Sequence, residues 1–124
     1  MKNIWLILCL LFTFSCEDKE NSNGTYKYTA YFEKSLVVCA SGFIEMTIAI
    51  DSTITGSWEI SAANKYSEKE IGPQIGTGKL EGSIKAGKIF INLNPGWADN
   101  NIFLNADYSK DQFKGSWLWS TFIG

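Results

Sequence analysis

The stretch Phe113-Lys114-Gly115-Ser116-Trp117-Leu118-Trp119 contains the pattern that decides the fold. The pattern is five residues long: an apolar residue, any residue, glycine, serine and a second apolar residue. The same pattern recurs at Ile54-Thr55-Gly56-Ser57-Trp58 and at Leu80-Glu81-Gly82-Ser83-Ile84, and a weaker copy with alanine in place of glycine is Leu104-Asn105-Ala106-Asp107-Tyr108. Alternate side chains of a strand share one face, so each copy presents large, small and large residues inward and polar residues outward. The pattern is typical of the wall of a small antiparallel barrel.

The alternation of apolar and polar residues extends over further stretches separated by turn residues. They are approximately residues 24–33, 43–50, 53–61, 78–85, 88–93, 101–108 and 112–122. A sheet with one dry face needs a cover, and a domain of this size has no second layer to supply it. Rolling the sheet closed buries that face and removes the exposed edges. We therefore predict an all-β fold, a single antiparallel meander closing into a small barrel of seven or eight strands, with a β-sandwich as the alternative.

In its Gly-Ser-Trp strand pattern and regular meander, the domain from residue 24 onward resembles the calycin-like barrels, lipocalins and avidins among them. The resemblance implies a fold and no particular ligand. The number of strands matters for closure, because the first and last of seven meander strands would run parallel where they meet. Either residues 68–75 supply an extra strand, or the barrel is incomplete or closes by another route.

The start of the chain has the features of an export signal. Lys2 supplies a positive charge, and residues 4–14 form an almost unbroken apolar run that is too short to span a bilayer as a helix. Ser15-Cys16 follows, and there the segment resembles a bacterial lipoprotein signal with its lipobox. The resemblance implies that residues 1–15 are a signal peptide and that Cys16 carries lipid in the outer membrane, with the domain facing the periplasm or the cell surface. An ordinary secretory signal is the alternative.

The segment after the signal predicts a solvated linker. Residues 16–23 comprise Cys16 and a polar, mostly acidic tether that has no apolar surface to bury. The barrel domain is then residues 24–124.

Composition argues against several classes of function. The 11 basic residues are outnumbered by 13 acidic residues and form no basic stripe, so nucleic acid is not an expected partner. The absence of histidine removes the commonest general base and transition-metal ligand. Glu45, Glu59 and Glu81 alternate onto the wet face, where carboxylates make poor general acids. The run Asp99-Asn100-Asn101 lacks the glutamate and the spacing of a calcium loop. We expect no enzyme, no cofactor and no metal.

Loop lengths point to one end of the barrel. Connections of a meander alternate between its two ends, so the short turns near residues 51–52, 86–87 and 109–111 share one end. The longer connections, residues 34–42, 62–77 and 94–100, share the other end if residues 68–75 are not a strand. Long loops gathered on a rigid barrel form a mouth and carry function more often than short turns do.

Five residues are candidates for contact with a ligand at this mouth. Trp97 lies on a turn beside amides and Asp99, and it either stacks on a sugar or other flat ligand or folds back onto the barrel. Val38 belongs to an apolar connection, residues 36–40, that is either a lid or part of the core. Trp119 and Tyr28 alternate inward, and in a barrel with a cavity they would be exposed to its contents.

Two functions of different classes follow from these features. One is a lipid-anchored binding module of the cell envelope that captures a small apolar or glycan ligand at the mouth. The other is a protein-interaction or inhibitor module of an envelope complex, with no ligand in the barrel. A cavity that exposes Tyr28 and Trp119 would favour the first, and a packed interior with an apolar patch on the loops would favour the second.

Overall fold

The structure is a computed structural model that describes residues 3–10, 22–32, 36–98, 100–109 and 112–120. Strands β2 to β8 form a single antiparallel meander of seven strands that nearly closes into a barrel, and β1 lies in the remaining seam. In chain order the strands are β1 (Asn3–Leu10), β2 (Ser22–Tyr31), β3 (Val38–Ile48), β4 (Thr53–Ala62), β5 (Gly76–Lys85), β6 (Lys88–Asn92), β7 (Asn101–Ser109) and β8 (Gln112–Ser120). The predicted all-β meander barrel is confirmed, and the β-sandwich alternative is wrong.

Closure follows from the direction of β1. This strand is antiparallel to both of its neighbours, and its register places Leu6 opposite Ala30 on β2 and opposite Gly115 on β8. Because β2 and β8 run in the same direction, one strand antiparallel to both satisfies the backbone groups of each edge. An extra strand at residues 68–75 is wrong, since Glu68–Ile71 forms a short helix, α1.

The position of β1 bears on the predicted export signal. Residues 3–10 lie inside the segment predicted to be a signal peptide, so processing before Cys16 would take β1 away from the barrel. Cys16 itself, and all of the tether except residues 22 and 23, lie outside the described residues.

The barrel core follows the period-two pattern of the strands. On β4, Ile54, Trp58 and Ile60 are buried, while Thr55, Ser57 and Glu59 are exposed to solvent. The largest completely buried side chains are Trp117, Tyr28, Phe113, Ile44, Ile54, Ile60, Ile71, Leu80 and Ile89. Full burial of one such aliphatic or aromatic side chain contributes about 1.5–3 kcal/mol relative to leaving it exposed.

The glycines of the repeated pattern allow neighbouring backbones to approach closely. A Cβ at Gly56 would lie 2.0 Å from the carbonyl oxygen of Glu45, and a Cβ at Gly115 would lie 1.9 Å from that of Asn105. In both cases the obstructing atom belongs to the paired strand and not to a tryptophan ring. Sharp coiling of the barrel wall, and not relief of crowding beside Trp58 or Trp117, therefore explains these glycines.

The connections separate into two ends, as predicted. Residues 49–52, residues 86–87 and the adjoining ends of β7 and β8 lie at one end, called the turn end below. Residues 32, 36–37, 63–75, 93–98 and 100 lie at the other, the loop end, because every strand pairs antiparallel with its neighbour.

Candidate functional site

The loop end is covered by residues 63–75, which we call the plug. Helix α1 begins after Ser67, whose side chain and that of Glu70 form a reciprocal cap with the backbone, and it buries Ile71 completely. Gln74 is also completely buried: its Nε2 donates to the carbonyl oxygen of Ile71 at 2.8 Å, and its Oε1 accepts from the Tyr28 hydroxyl at 2.6 Å. A buried side-chain hydrogen bond thus joins the plug to the inner wall of β2.

Tyr28 lies beneath the plug and has no exposed surface. Burial raises the pKa of Tyr28 well above its usual value of 10.0, with a smaller contribution from Cys39. The phenol therefore stays neutral and can donate to Gln74 over the ordinary pH range. With the plug in place, Tyr28 offers no surface to a ligand, although the sequence placed it among the candidate contacts.

Trp119 connects three parts of the loop end. Its Nε1 donates to Asn100 Oδ1 at 2.7 Å, which ties β8 to the β6–β7 connection. Its ring lies against Gly72 of the plug, where a Cβ would be 2.8 Å from ring carbons. Trp119 is only partly buried, but its side-chain hydrogen-bond donor is already used within the protein.

Trp97 stands on the outside of the loop end with 65% of its surface exposed. The turn that carries it is fixed by Asn94, whose backbone oxygen accepts from the Trp97 N–H at 3.3 Å and whose Nδ2 donates to the backbone oxygen of Asn100 at 2.9 Å. The Trp97 side chain therefore does not fold back onto the barrel. Asp99 lies outside the described residues.

The apolar connection before β3 divides between surface and core. Leu36 and Val37 are exposed, at 72% and 39%, whereas Cys39 is completely buried. Val38 is the first residue of β3 and half-buried, and its backbone oxygen accepts from Asn64 Nδ2 at 2.7 Å. Leu36 has φ 55°, a left-handed conformation that is unfavourable for a leucine. The outer side of this connection is therefore apolar at Leu36 and Val37.

The aromatic rings of the connections pack on one another beneath this surface. Phe32, just after β2, contacts Tyr66 of the plug with ring centroids 4.5 Å apart at a steep angle. Phe32 also lies 6.3 Å from the ring of Trp117, which is completely buried. The β2–β3 connection and the plug are therefore parts of one packed layer, with Leu36 and Val37 on its outer side.

Two buried polar atoms have no hydrogen-bond partner within the part of the chain that the structure describes. They are Trp117 Nε1, a donor, and Asn101 Oδ1, an acceptor. Buried polar groups are normally paired, so each of these atoms is a place where water or a small polar molecule would gain a hydrogen bond.

The carboxylates considered for catalysis lie on the outer wall. Glu45, Glu59 and Glu81 are all exposed, as their alternation predicted. Glu45 and Glu59 border a shallow groove of about 460 Å³ across β3 to β5, beside Phe43 and Lys79. The groove is open to water, and its Glu45, Glu59 and Lys79 side chains are exposed. Within the described ranges, no group of three or more Cys, Asp or Glu side chains could hold a metal ion.

Comparison with known proteins identifies no relative. A scan against protein-family models, a search of curated proteins and a search of solved structures each found no match. At the level of fold, the nearly closed meander is compatible with the calycin-like group. No helix in the described ranges has the length and apolar character needed to cross a bilayer.

Sequence reasoning missed the residues that close the loop end. Gln74 sits among Ile71, Gly72 and Ile75 with no alternation that marks it as buried, and its partner Tyr28 is 46 residues away in the chain. The helix did have a signal: Ser67-Glu68-Lys69-Glu70 matches the capping box that starts helices.

Proposed function

We propose that this chain is an exported lipoprotein whose barrel binds a protein partner through its loop end, with no ligand inside the barrel. The observation that supports this proposal is a contrast at one end of the molecule. Tyr28, beneath the plug, is completely buried, while Leu36 and Trp97 on the outside of the same end are largely exposed. With a strand in the place of β1, a closed interior below an apolar outer surface suits a protein partner better than a captured small molecule.

The chemistry of the exposed residues fits such a partner. Tryptophan is enriched among residues that dominate the energy of protein interfaces, and Leu36 and Val37 add aliphatic area at the same end. The amide of Asn94 and the Oδ1 of Asn100 are engaged in hydrogen bonds inside the protein. These atoms are thus less available for the polar contacts that a sugar stacked on Trp97 would need.

The cellular address in this proposal is supported by the sequence of residues 1–16. In cells fed a labelled fatty acid, the wild-type protein should acquire label and fractionate with the outer membrane. Cys16→Ala should abolish the label and release the protein from the membrane. A Cys16→Ala protein that keeps its label would overturn the lipoprotein assignment.

Site-specific photo-crosslinking tests the loop end. A photo-crosslinking amino acid is placed in turn at Leu36, at Trp97 and, as a control, at Ile50, which is 71% exposed at the turn end. We expect positions 36 and 97 to crosslink to the same envelope protein and position 50 to give no such product. Equal products from all three positions would show non-specific contact and would refute the proposal.

Trp97→Ala provides the quantitative test. Loss of a central tryptophan contact typically costs about 2 kcal/mol or more, so affinity for the crosslinked partner should fall roughly 30-fold. The free energy of unfolding should change by less than about 0.5 kcal/mol because the side chain is exposed. Ile50→Ala is the matched control and should change neither quantity. A stability loss as large as the binding loss would show that Trp97 is structural.

A second candidate function is the capture of a small polar molecule inside the barrel, favoured by the buried, unpartnered Nε1 of Trp117. Native mass spectrometry of the processed protein purified from cell envelopes separates the two. The protein-partner proposal predicts the mass of the lipidated chain with no small molecule bound, and the alternative predicts a further added mass that Trp117→Phe removes.

A further inference from the structure

The seam between β2 and β8 is one strand wide. β1 fills it, pairing through residues 6–10 with residues 26–30 of β2 and through residues 3–9 with residues 112–118 of β8. Adjacent strands in a sheet lie about 4.8 Å apart, so the two edges of the seam are separated by roughly 9.6 Å. The strand that fills this space belongs to the segment that processing before Cys16 would remove.

The two edges of the seam are strongly apolar on the inside of the barrel. Tyr28 and Ala30 on β2, and Phe113 and Trp117 on β8, are completely buried in the full chain. The register places Leu8 of β1 opposite both Tyr28 and Phe113. Removal of β1 would leave these side chains along an open slot, together with two rows of unpaired backbone donors and acceptors.

The barrel cannot close this slot by simple contact of its edges. β2 and β8 run in the same direction, because both are antiparallel to β1. Their direct union would need a parallel ladder and a change in the tilt and stagger of the remaining strands. An added strand antiparallel to both edges keeps the existing geometry, and an open sheet edge is a template for such addition.

We propose that the seam of the processed protein binds one extended apolar segment of a partner protein as an antiparallel strand, in the place that residues 3–10 hold in the full chain. This inference rests on the proposed export but not on the loop-end surface. β1 itself gives the chemistry of the segment: about eight residues, mainly aliphatic and uncharged, with no proline in the paired stretch. The segment enters antiparallel to β2, which fixes its direction.

Strand exchange in the full chain tests this proposal. A protease site is inserted within residues 17–21, and the folded chain is cut there so that the N-terminal fragment is held only by pairing. A fluorescent peptide of residues 3–10 with a solubilising lysine tail is then added in excess. A matched peptide carrying Ile7→Pro, which removes a central backbone donor, is the control. Uptake is measured by fluorescence anisotropy and by native mass spectrometry.

We expect one wild-type peptide per barrel to replace the fragment, with the Ile7→Pro peptide binding at least 10-fold more weakly. Three results would overturn the proposal. In the first, the cut fragment leaves and the barrel stays a folded monomer that takes up no peptide, which would show that the seam closes by itself. In the second, the cut chains pair with each other and exclude the peptide, which would show that a second copy fills the seam. In the third, neither peptide exchanges even in mild denaturant, which would show that β1 is a fixed part of the fold.

The two proposals fail separately. Strand exchange is measured on purified protein and leaves fatty-acid labelling and the crosslinks at positions 36 and 97 unchanged. If the protein acquires no label in cells, the processing that would remove β1 loses its support, whether or not the peptide exchanges with the purified protein.

Discussion

Tyr28→Phe removes one hydroxyl from the completely buried junction between β2 and the plug. Phenylalanine keeps the ring and therefore creates little new cavity volume. The change leaves Gln74 Oε1 without the donor that now lies 2.6 Å away, while Gln74 Nε2 keeps its bond to the Ile71 carbonyl. Because Gln74 is completely buried, no water at the surface replaces the lost donor.

Tyr28→Phe should lower the free energy of unfolding by about 1–3 kcal/mol, because it leaves a buried acceptor unpaired. For a domain of about 100 residues, each kcal/mol lowers the melting temperature by roughly 4–8 °C. Gln74→Leu should be destabilising for the complementary reason, since it leaves the Tyr28 hydroxyl unpaired. The double variant removes both partners, and its loss should be smaller than the sum of the two single losses by about 1–3 kcal/mol.

Urea unfolding followed by tryptophan fluorescence measures these differences. Tyr31→Phe is the matched control, because it makes the same chemical change on the same strand at a half-buried position. It should alter the free energy of unfolding by less than about 0.5 kcal/mol.

A Tyr28→Phe protein as stable as wild type, with no coupling to Gln74→Leu, would refute the closed interior. It would mean that water or another molecule reaches the junction and replaces the lost hydroxyl. The support for a protein partner at the loop end would then fall, and capture of a small molecule inside the barrel would become the better proposal.

Two further predictions concern the barrel wall and alkaline pH. Gly115→Ala should lower the free energy of unfolding in urea by about 1–3 kcal/mol, because the new Cβ would lie 1.9 Å from the Asn105 carbonyl oxygen. Gly96→Ala is the control: its Cβ would meet nothing within 4 Å, so the free energy of unfolding should hardly change. Burial, and secondarily Tyr108, raises the pKa of Tyr26 from 10.0 to about 12. The folded state then holds a proton that the unfolded state releases above pH 10. The contribution of Tyr26 to the free energy of unfolding should therefore be fully present below pH 10 and fall by about 1–2 kcal/mol, allowing for solvent screening, as pH approaches 12. Tyr28, whose pKa is also raised, adds to the total decline. Tyr26→Phe should make the decline less steep; an unchanged slope would contradict the assignment.

Much of the fold could be predicted from the sequence because the wall obeys a period of two. The alternation through Ile54, Trp58 and Ile60 fixes which face of β4 is buried, and its repetition gives the meander and the two ends. β1 could not be predicted this way. Residues 4–14 are apolar almost without interruption, and such a run fits any buried environment, so the pattern does not separate a strand from a signal sequence.

The candidate site was less predictable than the wall. The sequence placed Trp97 on a turn but left open whether it would fold back, and the structure shows it exposed. The burial of Tyr28 depends on a hydrogen bond to Gln74, a contact between distant parts of the chain. No local propensity encodes that contact, since it exists only when the plug packs against β2.

The pairing of β1 with β8 also sets an order of events during synthesis. Every pairing from β2 to β8 joins strands that are neighbours in the sequence, whereas Leu8 of β1 must meet Phe113, near the other end of the chain. The entropy lost in closing a chain rises with its length, and β8 leaves the ribosome long after β1. Residues 3–10 therefore cannot be fully enclosed until translation of the barrel is almost complete. In the proposed export, machinery that recognises a nascent N-terminus would have that whole interval in which to bind it.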